Sequence, residues 1–304
     1  MRLNQTNRCG SWLWALIFGC SSLALPRAEA VIVGVKSRGA DSPNYIGPAR
    51  LFSFNEDGSG LTDLAEIRVS GFTGGINVNG MAWSSIYGIF AYRWNGSSQL
   101  IQLSTNGPNF DISGGILTAT PIGAALSGIR VMGATFDLNE RLWVVDDTRT
   151  LYQINPTNGA IIGSGVPITG TSASSAVGDL AVRHDGTMFL SVYQGNYYTL
   201  NPTTGAATLK FTETSVSPDY RFNMGMAFSG YSSNSNNLYA LEGNGPDDLL
   251  KYDANTFALT VLASDILAPD SLSWSQDLAG LVLPEPTSTA LIALGGLLFL
   301  RRRN

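Results

Sequence analysis

Two phrases alternate along the chain, and their spacing limits the possible folds more than any other feature. The first is a short alternating stretch that runs into a turn: RLFSFNEDGSG, QLIQLSTNG, TLYQINPTNGA, NYYTLNPTTGA and LLKYDANTFA. Its turn residues Asn55, Ser104, Asn155, Asn201 and Asp253 lie 49, 51, 46 and 52 residues apart. The second is GMAWSSIYGIFAY, GATFDLNERLWVV, GDLAVRHDGTMFLSV, GMAFSGYSSNSNNLYAL and, truncated, SLSWSQDLAG. Aligned on Ala82, Thr135, Ala181, Ala227 and Ser273, it recurs at intervals of 53, 46, 46 and 46. Self-similarity at such a period means a repeat architecture whose units bury their apolar faces on one another.

Each unit holds four strand-like segments. Alternation is visible in Arg141-Leu142-Trp143-Val144-Val145 and Thr187-Met188-Phe189-Leu190-Ser191-Val192, and no stretch of the body keeps an i, i+3, i+4 stripe for three turns. Pro156 and Pro202 preset a turn φ, while Gly159 and Gly205 supply a positive one, so these are hairpin corners. Four antiparallel strands per repeat of 40–50 residues is the pattern of a β-propeller. The 34 glycines and the low charged fraction, 13%, agree with a turn-rich all-β chain.

The ends of the repeat are out of phase. Residues 31–69 hold only three strands, VIVGVKS, ARLFSF and LTDLAEIRV, and SLSWS at Ser271–Ser275 offers the missing first strand from the far end. Completing one blade from both termini removes two unpaired sheet edges. Five blades are therefore expected, with six as the alternative if residues 38–48 hide a further strand pair.

Residues 1–30 read as a secretory signal peptide, with Arg2 and Arg8 ahead of an apolar core from Trp12 to Leu25 and an Ala28-Glu29-Ala30 exit. A rival lipoprotein box at Ile17-Phe18-Gly19-Cys20 is poorly served by Phe18. Both cysteines, Cys9 and Cys20, lie in this segment. The body left after cleavage could form neither disulfides nor thiolate metal sites. Between the leader and residue 284 there are 12 basic and 21 acidic residues, a balance of −9, which argues against nucleic acid as a partner.

The chain closes with Pro284-Glu285-Pro286, an apolar run from Ala290 to Leu300, and Arg301-Arg302-Arg303. The run is about half the roughly 20 residues a helix needs to cross hydrocarbon, and the arginines mark the cytoplasmic side. A short membrane helix that holds the exported chain is expected. These last residues resemble the PEP-CTERM sorting signal of bacterial surface proteins. The resemblance implies recognition of Pro284, Glu285 and Pro286, with the cluster Arg301, Arg302 and Arg303, by an exosortase-type membrane protease. It also implies removal of the tail and delivery of residues 31–283 to the envelope, matrix or exterior. It says nothing of what the body binds.

Chemistry is sparsely signalled. His184, the single histidine, lies in a turn beside Asp185-Gly186 with no serine elbow to serve, so triad catalysis is not expected. One histidine and no body cysteine exclude zinc or iron sites of the usual kind. Calcium, bound through oxygen, is the one metal the loops could suit, with Asp146, Asp147, Asp247 and Asp248 as ligands and Asp41 in the equivalent loop of the first blade. No other cofactor is expected. Trp143, Phe189 and Tyr239 hold equivalent second-strand positions and should pack between blades. Trp94 and Tyr220 fall in loops, where a ring could stack on a sugar. The expectation is an exported binding or scaffold module for extracellular polysaccharide or an envelope protein. The alternative is a propeller hydrolase or lyase with a metal near the central channel.

Overall fold

The computed structural model describes residues 31–37, 49–72, 76–105, 110–172, 176–214, 223–228, 236–242, 248–264 and 275–280. Every element in them is a strand. β1 (Val31–Ser37), β2 (Ala49–Asn55) and β3 (Thr62–Val69) are the three strands read from the N-terminal end. β4 (Asn77–Ser84), β5 (Gly88–Trp94) and β6 (Ser98–Ser104) lead through the two-residue β7 (Ile112–Ser113) to the long β8 (Ile116–Leu126). β9 (Val131–Phe136), β10 (Leu142–Asp146), β11 (Thr150–Ile154) and β12 (Ile161–Pro167) form one four-stranded sheet. β13 (Val177–Val182), β14 (Met188–Val192), β15 (Asn196–Leu200) and β16 (Ala207–Thr212) form the next. β17 (Asn223–Phe228), β18 (Asn237–Glu242), β19 (Leu249–Asp253) and β20 (Leu259–Ala263) form another, and β21 (Ser275–Gly280) ends the series.

β21 pairs antiparallel with β1, from Ser275 opposite Ser37 to Gly280 opposite Ile32. The strand from the C-terminal end is thus Ser275–Gly280 rather than Ser271–Ser275; residues 271–274 lie outside the described set. The reason is legible in hindsight. Gln276-Asp277-Leu278-Ala279 matches Gly178-Asp179-Leu180-Ala181 better than Leu272-Ser273-Trp274 matches its counterparts, so the repeat position assigned to Ser273 belongs to Ala279.

Burial falls from the inside outward. First strands such as β4 and β13 and second strands such as β10 and β14 are buried almost throughout, while β12 and β16 are mostly exposed. The alternation expected of Arg141–Val145 and Thr187–Val192 is not what the structure shows: β10 and β14 are buried on both faces, and a strand so covered reads as a continuous apolar run. The core is divided among five clusters, each drawing on neighbouring sheets. Trp143 packs with Leu180, Met188 and Leu190, Phe189 with Met226, Leu238 and Tyr252, and Tyr239 with Ile32, Phe52, Phe54 and Leu278. These three repeated aromatics lie between sheets, as expected. The last cluster joins the final sheet to the first, and the Tyr239 hydroxyl also donates to the Glu56 carbonyl at 2.8 Å. The first strands follow one another around a cycle of contacts, β4 with β9, β9 with β13, β13 with β17, β17 with β21 and β21 with β4.

Two features were not foreseen. β3 and the first half of β8 pair in parallel, Glu66 opposite Ile116 through Val69 opposite Ala119, before β8 turns to pair with β6. Two groups of strands thereby become one nine-stranded sheet. Second, β4, β9, β13 and β17 each carry a one-residue irregularity in pairing with the strand after them. The β21–β1 pairing has none. Such bulges re-aim side chains and bend the strand, and here they lie beside Gly80, Gly133, Asp179 and Gly225. The expected signal helix, the terminal membrane helix and the loop 38–48 lie outside the described residues.

Candidate functional site

The inward ends of the first strands form a funnel. Its wall is built from Met81-Ala82-Trp83, Ala134-Thr135-Phe136, Leu180-Ala181-Val182, Met226-Ala227-Phe228 and Leu278-Ala279, with His184 at the rim. Four of the five residues aligned as axial by the repeat, Ala82, Thr135, Ala181 and Ala227, line it, and Ala279 takes the fifth place. Small side chains at these positions keep the centre open. The cavity is about 60 Å³, room for a few waters or the tip of an apolar group.

Two residues before Ala181, a carboxylate bridges three of the first strands. Asp179 is fully buried. Its Oδ1 accepts from the Ala134 N–H of β9 at 3.2 Å and from the Leu180 N–H at 2.6 Å, and its Oδ2 accepts from the Met226 N–H of β17 at 2.6 Å. The bulge in β13 makes this possible: the Asp179 N–H bonds the Ser191 hydroxyl at 2.8 Å instead of a ladder carbonyl, which turns the side chain inward. A Cβ built on Gly133 would stand 2.3 Å from Asp179 Oδ1 and 2.5 Å from its Cα. Glycine is therefore required there for close approach. A buried carboxylate holding several amides is a staple between strands, with its oxygens already occupied.

The residues singled out from sequence are placed as follows. Asp146 is buried, and it accepts from the Thr148 N–H and hydroxyl, the Thr150 N–H and the Tyr152 hydroxyl. All these partners belong to its own β10–β11 corner, so its oxygens are turned into the turn. Asp147 is exposed beside Arg130; partial burial, and then the Asp146 carboxylate, push its carboxyl above the usual range against the pull of Arg130. Asp248 is half-buried; Asp247, Asp41 and Tyr220 lie outside the described residues. Among the described residues no three His, Cys, Asp or Glu side chains gather at metal-binding separation. Trp94 is the last residue of β5, paired with Asn77 and Ser98, rather than a loop residue; it is half-buried with the Arg130 guanidinium 5.5 Å from its ring centroid. Close by in sequence, Arg93 lies 3.5 Å over Phe72 and bonds Gln99. Pro284, Glu285, Pro286, Arg301, Arg302 and Arg303 lie outside the described residues.

His184 and Asp179 are the residues sequence reasoning undervalued. His184 was read as an ordinary turn residue, yet it stands on the funnel rim, and its Nδ1 is buried with no hydrogen-bond partner among the described residues. Its turn is held by Arg183, which bonds both Asp185 and Asn255; the Arg183 guanidinium keeps the Asp185 carboxyl well below the usual carboxylate range. The signal available was position. His184 follows the axial Ala181 by three residues, and Asp179 precedes it by two, in a column that holds Gly80, Gly133 and Gly225 in three other first strands and Asp277 in β21.

No known protein family matches the chain, and no curated protein does. Among solved structures, a protein of unknown function from Bacteroides thetaiotaomicron is similar at 15% identity over 76% of this chain, with a TM-score of 0.45. The chain spans 59% of that protein's length. Virginiamycin B lyase from Staphylococcus aureus is similar at 11% identity over 75% of this chain and 69% of its own, TM-score 0.39. Glutaminyl cyclase from Myxococcus xanthus is similar at 14% over 64% and 77%, TM-score 0.41. Likenesses this distant carry nothing about ligand or chemistry.

Proposed function

We propose that this chain is an exported, surface-sorted β-propeller of five blades, closed by β21 on β1, whose body is a binding module of the cell envelope or extracellular matrix. The blade count and closure are supported by the cyclic contacts of the first strands and by the cluster that joins Tyr239 to Ile32 and Leu278. Export and sorting rest on the leader at 1–30 and on the PEP-CTERM-like tail at 284–304, with an exosortase-type protease as the processing partner.

The observation that carries binding over turnover is the funnel's lining. Its lining side chains are apolar apart from Thr135 and His184, with backbone polar groups also exposed to it, and among the described residues His184 is the single titratable side chain that lines it. General acid–base or nucleophilic chemistry needs a second placed group, whereas a small cup of apolar side chains with exposed backbone groups suits the seating of a ligand. The ligand is an envelope component, polysaccharide or protein, that presents an apolar face or ring. The enzyme alternative draws its support from the unpartnered Nδ1 of His184.

The test uses immobilised matrix polysaccharide and membrane-fraction protein as baits for the purified body, with product analysis of the soluble phase. Retention without new products, lost on filling the funnel with Thr135→Trp, is the expected result. Bond cleavage that disappears in His184→Ala would replace the binding reading by the enzymatic one. Calcium binding through Asp146, Asp147, Asp247 and Asp248 would raise Tm on addition of the metal, because a ligand of the native state stabilises it by mass action. No change in Tm at millimolar calcium removes that site.

A further inference from the structure

We propose that the funnel face is the side of the body turned to the lipid bilayer while the tail is in place, so that removal of the tail uncovers the funnel. The inference rests on the reading of 284–304 as an anchor. It starts from where the described body ends. Leu278 and Ala279 line the funnel, so β21 delivers the chain at Gly280 to the funnel mouth. Ile32 is paired with Gly280, so Val31 begins at the same place. Both junctions, to the leader and to the tail, leave one face at one point.

The tether is short on the scale of the body. Nine residues separate Gly280 from Ala290, where the apolar run begins; fully extended, the chain between them spans at most about 35 Å. A compact domain of this size has a radius of gyration of about 18 Å. The opposite face could meet the bilayer only if the tether were stretched around the perimeter. The funnel face also carries the apolar tips that a bilayer would receive. Ile86, 67% exposed, and Leu138, 43% exposed, occupy the turns between first and second strands, at the same ends of those strands as the funnel. Leu61 projects from the turn between β2 and β3 on this side. Ile162, Leu209 and Val261 instead lie on the outermost strands, and Phe72, 41% exposed, follows β3 on the opposite face beneath the Arg93 guanidinium. Asp137 and Asp185 on the funnel side are paired with Arg141 and Arg183, and Glu56, Asp57, Glu140 and Asp253 leave that side with a surplus of acids, which selects a zwitterionic surface over an anionic one.

The full chain, with Cys9→Ser and Cys20→Ser, is exported, purified from membranes and reconstituted into phosphatidylcholine vesicles carrying a headgroup quencher. Single cysteines replacing Ile86, Leu138 or Asn95 are labelled with a fluorophore; Asn95 lies in the loop after β5, on the opposite face. Quenching at 86 and 138 at least threefold above that at 95 is expected, and the difference should vanish in the Leu294→Asp, Leu298→Asp chain. Vesicle flotation reads the anchor separately. A chain that floats but is quenched equally at all three positions overturns the orientation and spares the anchor. A chain that does not float overturns both.

Discussion

Asp179 occupies a position that three other first strands give to glycine, and the exchange is functional for the fold. A hydrogen bond to a charged acceptor contributes about 1.5–3 kcal/mol, and an amide left unpaired in the interior costs about 1–3 kcal/mol. Asp179→Ala, which orphans the N–H groups of Ala134, Leu180 and Met226, should lower the unfolding free energy by about 3–5 kcal/mol in urea titrations. Asp179→Asn should recover only part of this. An amide has one acceptor oxygen, and its NH2 would face either Ala134 or Met226. Sequence reading recovered the apolar residues of this level, because volume and hydropathy repeat from unit to unit. It passed over His184 because it occurs once among its equivalents, and over Asp179 because Asp277 alone repeats it against Gly80, Gly133 and Gly225; a polar residue that does not recur from unit to unit gives no periodic signal.

At the scale of single elements, corner chemistry was the most readable feature. Asn155, Asn201 and Asp253 each accept from backbone N–H groups two residues on, and from the third at Asn201 and Asp253, as Asx turns do. Gly159 and Gly205 follow with φ of 71° and 72°. The last corner departs from the pattern: Phe257 stands in the glycine place with φ of 56°. Its ring is stacked on Phe211 at 5.1 Å and 11°, with Phe189 at 6.4 Å, so packing holds a backbone conformation that a side chain disfavours by about 1–2 kcal/mol. Replacement by glycine or by alanine deletes the same ring, but only glycine relaxes the backbone. Phe257→Gly should therefore be more stable than Phe257→Ala by about 1 kcal/mol in denaturant titrations, the reverse of their usual order. The bulges and the β3–β8 parallel pair were not legible. Both depend on how neighbouring sheets meet, and local alternation carries no record of that.

For the whole molecule, continuity of the core from the last sheet to the first decides whether the ring behaves as one unit. Leu278 is 1% exposed in the cluster shared with Ile32, Phe54 and Tyr239. Leu278→Ala should lower stability by about 2–5 kcal/mol, a fall in Tm of about 5–15 °C for a body of this size. Leu209→Ala, on an outer strand where the side chain is 52% exposed, should stay within about 0.5 kcal/mol. If the two variants melt alike, the joint between the ends is not part of the cooperative structure. The whole-chain reading had the right partner strand in the wrong register, since SLSWS imitates the repeat while Gln276–Ala279 completes it. In the proposed ring, Ile32 and Gly280 are direct neighbours on antiparallel strands, so the order of its units has no obligatory beginning. A short linker across that gap, with new ends opened between Val69 and Asn77, would write the same ring as a circularly permuted polypeptide whose first sheet is contiguous in sequence.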